Sequence, residues 1–131
     1  MPERGETLLG FDFGVRRIGV AIGNTLTCSA RPLSQIDARV SDRCFEAIGR
    51  LLLEWQPQKL VVGRPLHPDG ARHAMTDRCE RFARQLSGRF RLPVELVDER
   101  YTSVEAAAGG AGDALDAESA AIILRQYLDS N

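Results

Sequence analysis

The stretch TLLGFDFG, residues 7–14, decides the fold, because it sets one acidic residue inside an apolar strand pattern. Large apolar side chains occupy half of its positions and predict a buried β-strand that ends at Gly14. An ionised carboxylate such as that of Asp12 is very costly to bury without a partner. Asp12 must therefore face a cation, a hydrogen-bond network or the open end of a sheet. The strand alone leaves a functional and a structural role for Asp12 equally open.

The residues that follow predict two further strands. IGVAIG at residues 18–23 has the apolar content of a second strand, and the short link before it predicts an antiparallel hairpin with the first. A third strand is expected at Leu26–Leu33, where Arg31-Pro32 indicates a sheet edge or the exit from the sheet.

Helices and strands are predicted to alternate over the rest of the chain. The resulting order β-β-β-α-β-α-β-α indicates an α/β fold, with a five-stranded mixed sheet flanked by helices in a single domain of residues 1–131. The expected elements are a helix from Ser41 or Asp42 that stops before Pro57, a strand at 59–63, a loop at 63–71, a helix bearing Met75, Cys79, Phe82 and Leu86, a strand at 93–97 and a helix from near Asp116.

Composition indicates an ordinary intracellular globular protein. The 131 residues are 44% hydrophobic and 27% charged, and no apolar run approaches the ~20 residues that span a bilayer. The polar, acid-bearing N-terminus does not resemble a signal peptide. Cys28 on a predicted strand, and Cys44 and Cys79 on predicted helices, are expected to be free thiols that act as small core residues. We therefore expect a cytoplasmic protein with no membrane partner.

Charge is unevenly distributed, although the net charge is −1. Residues 64–91 carry seven arginines and three acids, whereas residues 92–131 carry two arginines and eight acids. A basic middle beside an acidic end could bind a polyanion and the cations that bridge it. From charge alone, a solvated helix face is the simpler interpretation.

Two further acidic positions accompany Asp12. Asp98-Glu99 follows the strand predicted at 93–97, and their alternating directions let one of them point into a cleft. Asp116 lies at the start of the last helix, where an aspartate is also a common N-cap or helix-dipole partner. Carboxylates from a first strand, a last strand and a last helix suit hard cations such as Mg²⁺. Two such ions about 4 Å apart can activate a water and stabilise the leaving oxygen of a phosphodiester.

Five blocks of sequence occur in order along the chain. They are FDFG at 11–14, IGVAIG at 18–23, VVGRPL at 61–66 with Asp69-Gly70, DERYTSVEA at 98–106 and DAESAAIIL at 116–124. In order and spacing they resemble the YqgF (RuvX) family of bacterial proteins, from about Leu8 to Leu128. The resemblance implies an RNase H-like fold and a nuclease associated with maturation of the 5′ end of pre-16S ribosomal RNA. It also implies a catalytic, metal-binding triad of Asp12, Glu99 and Asp116, with Mg²⁺ or Mn²⁺ as cofactor.

Other residues are candidates for contact with a nucleic acid. Phosphate oxygens could be bound by Arg16 and Arg17 in the first turn and by Arg100 beside Glu99, although Arg100 could equally pair with a neighbouring acid. Arg64 could add a phosphate contact or simply be exposed in its loop. The chain departs from the family pattern in two places: residues 106–115 contain no lysine or arginine, and position 64 carries arginine where an apolar residue is expected. The candidate contacts are Gly14, Arg16, Arg17, Arg64 and Arg100.

Three classes of function remain open on the sequence. The preferred class is a nuclease acting on RNA, as a monomer or weak homodimer, with a resolvase of four-way DNA (Holliday) junctions as the alternative. Asp12-Phe13-Gly14 with Gly19 and Gly23 also resembles the first phosphate loop of actin-like ATPases and sugar kinases, although those proteins need two such domains. A non-catalytic RNA- or protein-binding factor would keep the fold without needing all three acids.

Overall fold

A computed structural model describes residues 5–14, 16–66, 74–100 and 113–130. The order of the elements along the described residues confirms the predicted β-β-β-α-β-α-β-α succession. The strands are β1 (Thr7–Phe13), β2 (Arg17–Asn24), β3 (Ser29–Asp37), β4 (Lys59–Leu66) and β5 (Val94–Arg100), and the helices are α1 (Ser41–Trp55), α2 (Thr76–Phe90) and α3 (Asp113–Ser130).

The strands form one mixed sheet in the order β3-β2-β1-β4-β5. β1 pairs antiparallel with β2, and β2 pairs antiparallel with β3. On its other side, β1 pairs parallel with β4, which pairs parallel with β5. The apolar strand that opens the chain is therefore central, which explains why it buries side chains on both faces.

Each face of the sheet has its own hydrophobic core. Leu9 and Phe11 of β1 pack with α1 and α2 on one face. Leu8 packs with α3 on the other face. Because side chains alternate along a strand, Asp12 belongs to the face that α3 covers.

The β2–β3 hairpin differs from the predicted third strand. β3 begins at Ser29 rather than Leu26, because residues 25–28 form the turn, in which the Asn24 side chain accepts a hydrogen bond from the Leu26 N–H at 2.8 Å. Cys28 lies in this turn with a φ of 53° and is exposed. The predictions of a strand position and a core role for Cys28 are therefore wrong. Cys44 and Cys79 are buried on helices, as predicted.

The end of the sequence-predicted third strand is also corrected. Pro32 lies within β3 and does not end it. β3 is an edge strand, and the register shifts between Val20 and Ala21 of its partner, at the level of Pro32. An edge position next to a bulge is where a strand tolerates proline, since no ladder hydrogen bond is then required from its nitrogen.

Strands β4 and β5 extend beyond their predicted ends. Residues 63–66 continue β4, so the loop predicted at 63–71 is wrong for its first residues, and its remainder lies largely outside the described part. Each of these residues pairs with one in 97–100, so the two strands lengthen together. Asp98 and Glu99 consequently lie within β5 rather than after it.

The helices begin near their predicted positions but without the expected cap. The sequence also offers Ser41 or Asp42 as the N-cap of α1, but this is wrong, because Val40 occupies that position and makes no side-chain cap hydrogen bond. α3 begins at Asp113, which places Asp116 in its first turn. None of the helices in the described part of the chain is long and apolar enough to cross a membrane.

Candidate active site

Asp12 lies near the carboxyl end of β1, at the centre of the sheet. Its partner in β2 is Gly19, which pairs in turn with Gln35 of β3. Asp12 is half-buried, and it interacts with its surroundings rather than projecting freely into solvent. Gly19 has no side chain and is itself buried.

Helix α3 approaches β1 at Gly10, two residues before Asp12. A Cβ atom on Gly10 would lie 3.1 Å from the Leu124 Cβ and 3.3 Å from the Ala120 carbonyl oxygen. Only a glycine therefore allows this closeness without a shift of the helix.

The contacts of α3 fix its direction over the sheet. Tyr127, near its carboxyl end, accepts a hydrogen bond from the Lys59 Nζ at 2.9 Å, and Lys59 is level with Leu8. Ala120, two turns earlier, lies against Gly10, so α3 runs antiparallel to β1.

The backbone of Asp116 is one helical turn before Ala120, towards the amino end of α3. Four helical residues advance by about 6 Å, and two strand residues by about 6.6 Å. The turn of α3 that holds Asp116 therefore lies at the level of Asp12.

Glu99 is placed by the register of β5, in which Pro65 of β4 is its partner. Along β5, Glu95 and Val97 contact the α3 side of the sheet. Asp98 contacts the opposite side, through Arg64. Position 99 is therefore in the same set of alternate strand positions as residues 95 and 97, which meet α3. The side chains of Glu99 and Asp116 lie outside the described part, and the described side chains alone form no group of three metal ligands.

Arg64 has partners that the sequence analysis missed. It lies half-buried in β4, where its Nε donates to Asp98 Oδ1 at 2.8 Å and its Nη1 to Glu80 Oε2 of α2 at 2.8 Å. The hydrogen bonds that Arg64 donates to Asp98 and, as the next cause, to Glu80 raise the pKa of the guanidinium above its usual value. No signal in the sequence indicated the Asp98 pair, because the two predicted strands end at residues 63 and 97, just before these direct partners.

A basic pocket lies at the same end of the sheet as Asp12. Its volume is about 290 Å³, and it lies where β2 begins and β3 ends. The sequence predicted Arg16 and Arg17 as nucleic-acid contacts. It did not predict the other polar residues of the pocket, Gln35, Asp37 and Arg39. A signal was present in Asp37-Ala38-Arg39, which carries opposite charges two residues apart at the end of β3. We name this the basic pocket, and its lining residues are Arg16, Arg17, Gln35, Ile36, Asp37 and Arg39.

Asp37 holds Arg39 in the pocket wall. The Arg39 Nε donates to Asp37 Oδ1 at 3.0 Å, the Nη2 to Oδ2 at 2.7 Å and the backbone N–H to Oδ1 at 2.9 Å. The side-chain hydrogen bonds, followed by the backbone one, hold the pKa of Asp37 far below its usual range. The carboxylate is therefore charged at all ordinary pH values.

Gly14 and Arg100 complete the predicted contacts. A Cβ on Gly14 would lie 2.7 Å from the Arg17 carbonyl oxygen, so closure of the β1–β2 hairpin is by itself sufficient reason for a glycine there. The backbone of Arg100 ends β5, paired with Leu66, and its side chain lies outside the described part.

Comparison with known sequences identifies relatives over nearly the whole chain. The RuvX family model, described as Holliday junction resolvase, matches residues 6–130. A protein of Paraburkholderia xenovorans (strain LB400), named "Putative pre-16S rRNA nuclease", is 57% identical over 131 residues, covering 96% of this chain and 90% of that protein. A protein of the same name from Paraburkholderia phytofirmans (strain DSM 17436 / LMG 22146 / PsJN) is 58% identical with the same coverage.

Solved structures resemble the fold. RuvC of T. thermophilus in complex with a Holliday junction substrate has a TM-score of 0.56 at 15% identity, covering 95% of this chain and 94% of that one. The fowlpox virus Holliday junction resolvase has a TM-score of 0.57 at 12% identity, covering 95% and 98%. The fold therefore defines an α/β protein of the RNase H-like class, as the sequence predicts. Within that class, the chain belongs to the RuvX family.

Proposed function

We propose that this protein is a divalent-metal-dependent nuclease that hydrolyses phosphodiester bonds of precursor 16S ribosomal RNA at its 5′ end. The observation that carries the proposal is that the three acidic positions belong to the same side of the sheet. Asp12 is on the α3 face of β1, the Asp116 turn of α3 is level with it, and position 99 has the matching parity in β5. Relatives named for pre-16S rRNA support RNA as the substrate.

The donor set fits a hard divalent cation such as Mg²⁺ or Mn²⁺. Asp12 brings a half-buried carboxylate to the carboxyl end of an otherwise apolar strand. Oxygen ligands are those that Mg²⁺ takes in proteins, and Asp12, Glu99 and Asp116 would hold it. When bound, the metal would supply an activated water and charge stabilisation for the leaving oxygen.

The remaining residues position the substrate and the acids. Gly10 lets α3, which bears Asp116, lie close to β1. Arg16 and Arg17 lie on the sheet end where β1 ends and would bind phosphate oxygens of the RNA backbone, with Gly14 in the same hairpin and Arg100 beside Glu99. Arg64 is engaged by two carboxylates, so its role in the described structure is to join β4, β5 and α2.

Asp12→Asn tests the nuclease directly. We expect wild-type protein to cleave an RNA that spans the 5′ end of 16S rRNA and its precursor extension, with Mg²⁺ or Mn²⁺ but not with EDTA. Asp12→Asn should reduce cleavage to the EDTA background while its thermal melting stays within a few degrees. Asp129→Asn, which alters an exposed carboxylate in α3, is the matched control and should retain activity. Cleavage by Asp12→Asn at the wild-type rate would contradict the proposal.

A second candidate, cleavage of four-way DNA junctions, is favoured by the description of the family model as a Holliday junction resolvase. A resolvase cuts two symmetric strands, which calls for a symmetric dimer. A four-way DNA junction should therefore be included among the substrates, with sedimentation of the protein alone and with the junction. Symmetric cuts by a dimer, with no cleavage of the precursor RNA, would favour this candidate over the RNA nuclease.

A further inference from the structure

The basic pocket borders a row of cross-strand partners that consists of Asp12, Gly19 and Gln35. Gln35 lines the pocket and lies in register with Gly19, the partner of Asp12. Neighbouring strands are about 4.8 Å apart, so the backbones of Asp12 and Gln35 are separated by about 10 Å. That separation places the pocket within reach of a strand of nucleic acid bound at Asp12.

We propose that the basic pocket is a subsite for a backbone phosphate of the RNA strand, displaced from the cleaved bond by a short stretch of the chain. The proposal rests on the proposed function for the position of the cleaved bond. The ligand that it assigns to the pocket is a phosphodiester, whatever the base attached to it. The residues newly assigned to binding are Arg39 and Gln35, with Asp37 as a positioning residue.

The charge of the pocket matches that ligand. Three arginines and one aspartate line it, which leaves an excess of two positive charges. Guanidinium groups are well suited to phosphate, because their planar donors match its oxygens. The pocket is also open enough for a phosphate, with a volume of about 290 Å³.

The walls of the pocket are fixed by hydrogen bonds before any ligand arrives. Asp37 holds the guanidinium of Arg39 through both carboxylate oxygens. The Ala38 N–H donates to the Arg16 carbonyl oxygen at 2.8 Å, which ties the β1–β2 hairpin to the end of β3. These segments would therefore lose less conformational entropy on binding than a free loop would.

Gln35 adds a neutral polar group to the pocket. Its Oε1 is buried and has no hydrogen-bond partner among the described residues. Buried polar atoms are nearly always paired, so an unpaired one calls for an explanation. A phosphodiester carries acceptor oxygens only, so Gln35 would bind it through its amide N–H group after the amide turns about its terminal bond.

The test is the salt dependence of RNA binding without cleavage. A fluorescein-labelled 12-nucleotide single-stranded RNA is titrated with the full-length protein in EDTA at several KCl concentrations, and binding is followed by anisotropy. The slope of log K against log salt is negative, and each phosphate contact removed from a single strand should reduce its magnitude by about 0.7. We expect this reduction, with weaker binding, in Arg39→Gln and in Arg16→Gln.

Arg50→Gln is the matched control. Arg50 is an exposed arginine of α1 whose ion pair with Glu46 is loose, at 3.8 Å, so it removes the same charge away from the pocket. It should leave the slope unchanged. An equal loss of slope in Arg50→Gln, or a wild-type slope in both pocket variants, would overturn the subsite.

The two proposals can fail separately. Because binding is measured in EDTA, a wild-type protein that cleaves no RNA would refute the nuclease but leave the subsite measurable. Under cleavage conditions, Arg39→Gln should raise KM and change kcat little, since the pocket holds the strand away from the cleaved bond. A fall in kcat with unchanged KM would instead contradict the subsite, even if the nuclease is correct.

Discussion

Gly10 of β1 and Leu124 of α3 lie so close that a Cβ on the glycine would be 3.1 Å from the Leu124 Cβ. Gly10→Ala must therefore push α3 away from the sheet or strain the strand. We expect the free energy of unfolding to fall by about 1–3 kcal/mol, the usual cost of overpacking. Urea denaturation measures it. Under the proposed function, nuclease activity should fall as well, because α3 carries Asp116.

Gly88→Ala is the control for that substitution. Gly88 is exposed in α2, and an added Cβ would meet nothing within 4 Å. Alanine favours the helix over glycine by roughly 1 kcal/mol, so this variant should be more stable than the wild type. Equal effects of the two substitutions would show that the contact at Gly10 is not as tight as described.

Arg64→Gln tests the ion pairs that join β4, β5 and α2. Arg64 and Glu80 are 28% and 20% exposed, so their bond is partly shielded from solvent, whereas Asp98 at 44% contributes less. We expect a loss of about 1–2 kcal/mol in the free energy of unfolding. Arg84→Gln, on the exposed side of α2, should change it by less than about 0.5 kcal/mol. A null effect of Arg64→Gln would contradict the observed bonds.

Asp37 should titrate below its ordinary value because of Arg39. A depressed pKa in the folded protein means that this contact stabilises the fold fully above the unfolded value, about 3.9, and loses its effect as the pH falls below it. Carboxyl ¹³C shifts measured against pH should give a midpoint below 3.9 for Asp37. Arg39→Gln should return the midpoint towards 3.9, and a wild-type midpoint at or above that value would refute the assignment.

The three thiols should differ in reactivity. Cys28 is exposed, whereas Cys44 and Cys79 are buried, and burial raises the pKa of Cys44. Since the thiolate is the reactive form, an aromatic disulfide reagent should modify one thiol rapidly in native protein and the others only on unfolding. Cys28→Ser should remove the rapid phase. A rapid phase that persists in this variant would place Cys28 elsewhere than in the exposed turn.

Much of the fold could be predicted because periodicity and chain order are local signals. The apolar run around Asp12, the hairpin after Gly14 and the following alternation of helices and strands all agree with the structure. Errors arose where pairing overrides local preference. Arg31-Pro32 indicated a sheet edge or an exit: the edge is correct, but β3 continues to Asp37. Gly63 suggested a loop, whereas pairing with β5 continues β4 to Leu66.

The candidate site also combines features that the sequence predicts with features that only the tertiary structure shows. The sequence by itself determined that Asp12 stands in a buried strand, and the family resemblance of its motifs implied Glu99 and Asp116 as companions. Only the tertiary structure decided which face Asp12 occupies, how closely α3 approaches Gly10, and that Arg39 and Gln35 border the same end of the sheet. The reason is physical: strand periodicity is encoded within a few residues, whereas register and helix placement depend on contacts between residues far apart in the chain.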